Sequence, residues 1–415
     1  MTVLFYCSKF PPLAGGAGTN AHYMAKYLSE RGHRVLIVCE HAPGLKKFEQ
    51  INDNYLVHRV SIPFLKNRGS GSYFLLLCLG IAMKGIRLSW REKPDLLHLF
   101  DAATGIAGLI TKLFVWKPSL YLFGGSIVYE YMCNAYRGIG WDPTLGENYT
   151  WEHARGISKL LLLIEKQFFL RNDRVYTNAQ YLADMLKQHL HLDSDRVRLI
   201  YNGIDTALLK KENFADIKSA IGVRRMIYVG VRFVKYKALD VLIKAAKPIL
   251  DELDAHLIIG GNGPEEQALK QLAAGQSRIK FLGNLNWEKN IEYVRSADVY
   301  ALPTLVDKTP NCIMEALSLE RPCITTNIDG VKELIPDGGG LLIQPNDIAG
   351  LQERIRWVFE HPDEARAMGS TARQYMVQEF DWKLTCQRIE GIYQELLRDR
   401  SRSQRRKDET DSLEK

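Results

Sequence analysis

The sequence predicts an α/β fold with two doubly wound domains. Three observations lead to this prediction: short apolar runs alternate with amphipathic stretches, the alternation occurs twice along the chain, and glycine-rich loops follow several of the apolar runs. Alternating strands and helices form parallel sheets covered on both faces, and ligands bind such sheets at the carboxyl ends of the strands. A chain of 415 residues is also longer than one core usually supports, which favours two domains.

The composition is that of a globular protein, with 46% hydrophobic and 25% charged residues. The seven cysteines are odd in number and include no C-x-x-C pair, which argues against a disulfide framework and a zinc site. We therefore expect a reducing, cytoplasmic location. The first residues run directly into an apolar strand, so no leader is expected. The apolar run from Tyr73 to Met83 is too short to span a bilayer and predicts a buried helix.

The formal net charge of +7 is concentrated in residues 1–200, and the remainder of the chain is close to neutral. A basic half favours an anionic surface or substrate, although a solvated basic face gives the same pattern. Lys84, Arg87 and Arg91 fall at i, i+3 and i+7, on one face of a predicted helix. Such a face can rest on anionic lipid, or can simply complement the helix dipole. The sequence leaves both interpretations open.

The first half opens with a β-loop-α-β unit. Val3–Tyr6 predicts a buried strand, a glycine-rich loop follows to Gly18, and a helix from Thr19 to Arg31 precedes the strand Val35–Val38. Glycines such as Gly15 and Gly16 let a backbone approach a ligand closely, and they are as common in tight turns without function.

Further strand and helix units continue to residue 201. The predicted helices are Tyr73–Trp90, Gly105–Phe114, Ile157–Leu170 and Tyr181–His189, and the predicted strands are Asp95–Phe100, Ser119–Phe123, Arg174–Thr177 and Val197–Tyr201. His98 lies near a strand end, where either a ligand contact or a hydrogen-bonded core histidine fits. The loop Gly124-Gly125-Ser126 is a second candidate. His98 and this loop are the candidate ligand contacts of this half.

The turn Asn202-Gly203-Ile204-Asp205 and the polar residues after it predict a domain boundary, and the same alternation then resumes. We expect domains at 1–205 and 206–380, a helix at 381–397 returning to the first domain, and a disordered charged tail at 398–415. The second sheet opens with Met226–Gly230, and the strand His256–Ile259 ends in the glycines Gly261 and Gly263. Arg232 and Lys237 are cations that could hold a diphosphate, or could be exposed surface residues.

The stretch from Thr304 to Leu317 combines the features of an anion site. It follows the strand Val299–Leu302, and Thr309 and Pro310 suit the N-cap and the first position of a helix. The free amides at that helix start attract an anion and belong to Asn311, Cys312 and Ile313. Asp307 and Glu315 place a carboxylate on either side.

Taken in order, these motifs resemble those of retaining glycosyltransferases of family 4, which have the GT-B fold of two Rossmann-like domains facing across a cleft. The resemblance covers Val3 to Leu397. The family's motifs appear as Pro11-Pro12…Gly15-Gly16, Gly32-His33-Arg34-Val35, Asn202-Gly203-Ile204-Asp205, Gly261-Asn262-Gly263-Pro264, the acidic pair Asp307 and Glu315, and the remnant Asp329-Gly330-Val331-Lys332-Glu333.

The resemblance implies a role for each candidate residue. Glu315 would accept hydrogen bonds from the ribose of the donor nucleotide, and Asp307 would face the donor sugar. Arg232 and Lys237 would hold the diphosphate together with the amides of the helix start. The remaining donor-side positions are Gly15, Gly16, Asn202, Gly261 and Gly263. The candidates on the acceptor side are His98, Gly124, Gly125 and Ser126. No protein nucleophile, cofactor or metal is implied.

The chain departs from the family pattern at three places. Aspartate replaces glutamate at Asp307, Val231 and Ala238 stand where glycines are expected, and Phe123 occupies a position where many members carry a histidine.

From the motifs as a set, we expect a hexosyltransferase acting on a nucleotide-diphosphate sugar. The alternatives are a GT-B epimerase or phosphorylase and a catalytically degenerate binding or scaffold protein. The expected partners are the donor and a glycan or lipid-linked acceptor, with peripheral contact to anionic membrane and no nucleic acid. The base, the sugar and the linkage are not specified.

Overall fold

The computed structural model describes residues 1–13, 16–62, 71–125, 157–193 and 195–413, which form two compact units. The first unit contains the described residues up to Asn202 together with those from Trp382 onward, and the second contains Gly203–Asp381. The chain therefore changes units at Asn202, slightly before the predicted boundary after Asp205. It returns to the first unit at the predicted last helix.

The elements of the first unit alternate between strands and helices. In chain order they are β1 (Thr2–Tyr6), α1 (Gly16–Glu30), β2 (Arg34–Glu40), β3 (Phe48–Asn52), β4 (Tyr55–Val60), α2 (Gly71–Glu92), β5 (Leu96–Leu99), α3 (Ala102–Lys112), β6 (Ser119–Phe123), α4 (Ile157–Arg171), β7 (Arg174–Thr177), α5 (Gln180–Leu190) and β8 (Val197–Leu199). The described strands form one sheet in the order β3-β4-β2-β1-β5-β6-β7-β8, in which only the edge strand β3 is antiparallel.

The second unit repeats the pattern with a smaller sheet. Its elements are β9 (Arg225–Gly230), α6 (Leu239–Ala246), β10 (Ala255–Gly260), α7 (Glu266–Ala273), β11 (Ile279–Gly283), α8 (Trp287–Ser296), β12 (Val299–Leu302), α9 (Asn311–Ser318), β13 (Cys323–Thr326), β14 (Leu341–Ile343), α10 (Ile348–Glu360) and α11 (Pro362–Glu379). The strands are parallel in the order β11-β10-β9-β12-β13-β14. The last helix, α12 (Trp382–Leu413), belongs to the first unit.

Both faces of the first sheet are buried. Successive residues of a strand point to opposite sides of the sheet, and consecutive residues of β1 are buried on both sides. On β1, Val3 and Phe5 pack against α1 and α12, and Leu4 and Tyr6 pack against the layer that contains α2, α3, α4 and α5. The predicted doubly wound α/β architecture is therefore confirmed.

The tail prediction is wrong in the part that the structure describes. Residues 398–413 continue α12 and are not disordered. The prediction weighed their charge alone, but arginine, lysine, glutamate and glutamine are good helix formers, and the apolar residues upstream anchor the helix before the tail begins. Arg174 also forms an ion pair with Asp399 on this extension at 2.6 Å. Strands β3, β4 and β14 were not predicted. Of these, β3 is largely exposed and therefore gives no apolar run, and β14 is apolar but spans only three residues, too few to indicate a strand.

Candidate functional site

The candidate donor site lies at the carboxyl end of the second sheet. The chain order reverses between the neighbouring strands β9 and β12, since β10 and β11 lie on one side and β13 and β14 on the other. Ligands of open parallel sheets bind beyond the strand ends at such a switch point. The loop after β9 carries Arg232 and Lys237, and the loop after β12 carries Asp307 and leads into α9.

Lys237 and Asp307 form an ion pair across this switch point. Lys237 Nζ lies 2.5 Å from Asp307 Oδ2, and the two side chains are only 12% and 17% exposed. The loops that carry them are joined by the backbone, because Leu305 N donates to Tyr236 O at 2.7 Å and Thr304 Oγ1 donates to the same oxygen at 3.1 Å. Burial is the largest single influence on the pKa of Lys237 and lowers it, but the charge and hydrogen bond of Asp307, together with Cys312 and Tyr236, raise the pKa above its usual value. The side chain is therefore a fixed ammonium at neutral pH.

The start of α9 differs slightly from the prediction. Pro310 is the N-cap residue and Asn311 is the first helical residue, whereas the sequence predicted Thr309 and Pro310 for these positions. The amide of Ile313 donates to Pro310 O at 3.0 Å, so it is not free for an anion. Within the described part of the chain, the amides of Asn311 and Cys312 have no acceptor. Burial raises the pKa of the Cys312 thiol to about 11, although Lys237 opposes the shift, so the thiol is neutral.

Glu315 is held by a residue that the sequence analysis missed. Trp287 Nε1, at the first position of α8, donates to Glu315 Oε1 at 2.9 Å. Burial raises the pKa of Glu315 to about 7, and the hydrogen bond from Trp287 lowers it only in part. The carboxyl group thus changes its charge near neutral pH. A tryptophan beside a strand-end loop was the only signal in the sequence, and it did not indicate this partner.

Binding of an intact nucleotide sugar should strengthen as the pH rises. The resemblance implies that Glu315 accepts hydrogen bonds from the ribose. Below its pKa of about 7 the neutral acid would accept them poorly, and above it the carboxylate would accept them well. Affinity should fall by up to about tenfold per pH unit below 7 and level off above it. Titration calorimetry with an intact nucleotide sugar tests this, because its diphosphate does not titrate in this range. A Glu315→Gln variant should show a flat profile, and an equal pH dependence in that variant would contradict the assignment.

The glycines of the Gly261-Asn262-Gly263 loop serve the packing of two loops. A Cβ at Gly261 would lie 1.9 Å from Val231 O, and one at Gly263 would lie 2.3 Å from Phe233 O. Phe233 N also donates to Asn262 O at 2.8 Å. These close approaches account for both glycines without a ligand, and they fix the loop that carries Arg232.

Arg232 and Ala238 complete the loop after β9. Arg232 is exposed, and the described residues provide no ion-pair partner for its guanidinium. Ala238, where the family pattern has glycine, adopts φ of +50°, a left-handed conformation that glycine adopts at no steric cost. Position 238 therefore keeps a backbone conformation that favours glycine, although the residue there is alanine.

The candidates of the first unit are less closely grouped. Gly15 and Ser126 lie outside the described residues. Gly16 is the first residue of α1, and a Cβ there would meet no atom within 4 Å; the same holds for Gly124 after β6. Gly125 has φ of +133°. Asn202 Oδ1 accepts a hydrogen bond from Asn20 Nδ2 at 2.8 Å, so its side chain joins the end of the first unit to α1.

The acceptor-side assignment of His98 is wrong. The ring is fully buried between two tyrosines, with Nδ1 2.6 Å from Tyr393 Oη and Nε2 3.0 Å from Tyr176 Oη. Burial holds its pKa well below the usual value, so the ring is neutral. Phe123 is also fully buried, and its ring lies edge-on to Phe169 with centroids 5.0 Å apart. His98 is a core histidine that ties α12 to the sheet.

Replacing His98 by leucine should destabilise the protein without changing substrate binding. Two buried tyrosine hydroxyls lose their partner, which should lower the free energy of unfolding by about 2–4 kcal/mol. Urea unfolding measures this loss. Adding Tyr393→Phe to His98→Leu should recover part of it, because the variant then buries one unpaired hydroxyl fewer. Unchanged stability with a raised KM for the acceptor would instead return His98 to the acceptor site.

The comparisons with known proteins agree with this architecture. The sequence matches glycosyltransferase family 4 over residues 14–208 and the glycosyl transferases group 1 over residues 210–375. The chain therefore belongs to glycosyltransferase family 4 and has the GT-B fold. Its membership of this family identifies it as a glycosyltransferase.

Individual relatives are distant but cover nearly the whole chain. N-acetyl-alpha-D-glucosaminyl L-malate synthase of Bacillus anthracis is 24% identical over 401 residues, covering 94% of this chain and 96% of the relative. Among solved structures, sucrose-phosphate synthase from Thermosynechococcus elongatus superimposes with a TM-score of 0.79 at 18% identity, over 96% of this chain and 99% of that one. HepE of Anabaena, in complex with UDP-glucose, gives a TM-score of 0.72 at 19% identity, over 95% and 100%. These structures show the fold.

Proposed function

We propose that the protein transfers a hexose from a nucleotide-diphosphate sugar to an acceptor with retention of the anomeric configuration. The observation that carries this proposal is the Lys237–Asp307 ion pair at the switch point, beside the start of α9 and a second cation, Arg232. Fixed cations and free amides stabilise the negative charge that develops on a departing diphosphate. Glu315, a turn into α9, provides an acceptor for the ribose hydroxyls.

The ion pair suggests how the donor is received. An arriving diphosphate competes with Asp307 for Lys237, because its oxygens offer more negative charge to the ammonium group. Asp307 is then released to accept hydrogen bonds from the sugar hydroxyls. In this mechanism the leaving phosphate assists deprotonation of the acceptor on the same face of the sugar, so no protein nucleophile acts. Lys237, Arg232 and the amides of Asn311 and Cys312 supply the positive charge, and no metal ion is required.

A panel of UDP-, GDP- and ADP-sugars with acceptor extracts tests the proposal. We expect that one nucleoside diphosphate is released and that its release continues in the presence of EDTA. NMR should show that the transferred sugar has the same anomeric configuration in the product as in the donor. Inversion would overturn retention, and loss of activity in EDTA would overturn the metal-free mechanism. If no donor binds and no diphosphate is released, the transfer itself is contradicted.

A non-catalytic role in binding a nucleotide sugar is the second candidate. The buried Phe123, which replaces a frequent histidine of the family, is the observation that favours it. Donor binding without turnover on any acceptor would support this role.

For the acceptor of the transferase we propose a lipid-linked or membrane-surface glycan, because the first half of the chain carries the excess of positive charge.

A further inference from the structure

Helix α2 exposes an apolar stripe. Leu75, Leu79, Met83 and Trp90 are each at least 38% exposed, and their spacing of four, four and seven residues places them on one helical face. Most soluble helices present polar side chains to water on that face, so this stripe needs another partner.

The loop after α3 extends the stripe with aromatic side chains. Phe114 is 58% exposed and Trp116 is 83% exposed. Helices α2 and α3 lie side by side, and the hydroxyl of Tyr6 touches both of them. This hydroxyl donates to Thr111 of α3, and it lies so close to Gly85 of α2 that a Cβ at that position would clash with it. Both helices end at the edge where β5 and β6 begin. The aromatic residues of this loop therefore lie at the same edge as Trp90.

A third helix contributes to the same layer. In α4, the ring of Phe168 packs where Gly105 of α3 leaves room for it. The outer side of α4 exposes Leu160, Leu163 and Ile164. Three neighbouring helices of one sheet face thus present apolar side chains outward, which exceeds the scattered exposure of a normal surface.

Positive charge flanks the apolar stripe on one side of α2: Arg87 lies one turn beyond Met83, whereas Lys84 and Arg91 lie seven and fourteen residues after the buried Leu77, at the border with the packed face. Lys84 and Arg87 form no ion pair with the described residues, and Arg91 contacts only the neighbouring Glu92, at 2.7 Å. Burial lowers the pKa of Lys84, and the charges of Arg91 and Arg87 lower it further, which shows that the three cations repel one another. A surface with anionic groups would relieve this repulsion.

Helix α2 is long and apolar enough to span a bilayer by composition, but half of that apolar stretch is buried. Tyr73, Leu77 and Ile81 pack against the sheet on the face opposite the exposed stripe. Crossing a bilayer would require this buried face to leave the core. An amphipathic helix held in this way lies in the plane of the interface.

We propose that this apolar-basic surface, formed by Leu75, Leu79, Met83, Trp90, Phe114 and Trp116 with the cations of α2, docks the first unit onto an anionic lipid surface. The leucine and methionine side chains enter the headgroup boundary, and the tryptophans take the interfacial position that their amphipathic rings favour. Lys84, Arg87 and Arg91 contact lipid phosphates. The proposal does not depend on the donor site, which lies in the second unit.

Vesicle flotation with the full chain tests the docking. We expect binding to phosphatidylglycerol/phosphatidylcholine vesicles that weakens with salt, and little binding to phosphatidylcholine alone. Lys84→Gln/Arg87→Gln should reduce the partition coefficient about 30-fold, since each cation near such a surface contributes about 1 kcal/mol. The matched control, Lys46→Gln/Lys47→Gln, removes two exposed lysines of the same unit at β3 and should bind as the wild type does.

The apolar contribution is tested separately. Trp90→Ser/Trp116→Ser should lose binding even at low salt, whereas the control Phe48→Ser/Ile51→Ser, at exposed positions of β3, should retain it. Equal losses in variant and control, or no binding to anionic vesicles at low salt, would overturn the proposal. A second result would also overturn it: the wild type forms a dimer and binds no vesicles, and the tryptophan variant is a monomer. The surface would then join two copies of the chain. Nucleotide-sugar binding by the variants that no longer bind vesicles distinguishes this failure from failure of the transferase proposal, because the donor site lies in the second unit.

Discussion

Replacing Glu315 by alanine should lower kcat/KM for the donor about 100-fold, because a hydrogen bond to a charged group contributes about 2–3 kcal/mol. The variant removes the proposed acceptor for the ribose hydroxyls and leaves Trp287 Nε1 without its partner. Steady-state kinetics with the donor identified in the panel measures the loss. Much of it should appear in KM, since the ribose is bound in both the ground state and the transition state.

Two further variants separate the role of Glu315 from general damage. Glu266→Ala removes an exposed glutamate of α7 that pairs only with Lys270 and should leave the kinetics unchanged. Trp287→Phe keeps an aromatic side chain and removes the N–H group that lowers the pKa of Glu315, so the pH midpoint of donor binding should move upward. Full activity of Glu315→Ala, or an unshifted midpoint in Trp287→Phe, would count against the ribose contact.

Replacing Lys237 by methionine should have the larger effect on kcat, a fall of about 10²–10³, because in the proposed mechanism the ammonium group stabilises charge that develops on the leaving diphosphate. The variant also leaves Asp307 largely buried without its cation, which should cost about 2–3 kcal/mol of unfolding free energy. Kinetics and urea unfolding measure the two effects independently.

The double variant Lys237→Met/Asp307→Asn distinguishes catalysis from stability. It removes both charges, so most of the stability should return while the activity stays low. Lys235→Met, an exposed lysine of the same turn, is the matched control and should retain both. Recovery of activity in the double variant would show that Lys237 acts only as the counter-ion of Asp307.

The fold followed from the sequence because its signals are local. Each of the predicted strands is a short apolar run bounded by a loop, and Asp307, Glu315 and the start of α9 lie on one continuous stretch that indicates an anion site without any knowledge of distant residues. The tail was predicted wrongly because charge was weighed above helix propensity, although both are readable from the same residues.

The contacts that the sequence did not predict join distant parts of the chain. His98 is paired with Tyr393, 295 positions away, and Glu315 with Trp287, 28 positions away, and no spacing rule connects them. The glycines Gly261 and Gly263 were predicted as ligand contacts, yet they accommodate backbone oxygens at 231 and 233. A single sequence shows that a glycine is needed, but not which atom approaches it.

A structure of the protein with its nucleotide-sugar donor tests the central claim most directly. The account predicts diphosphate oxygens within hydrogen-bonding distance of Lys237 Nζ, Arg232 and the amides of Asn311 and Cys312, with ribose hydroxyls on Glu315 and the Lys237–Asp307 pair opened. A donor bound away from the carboxyl ends of β9 and β12, or a ribose that makes no contact with Glu315, would contradict it.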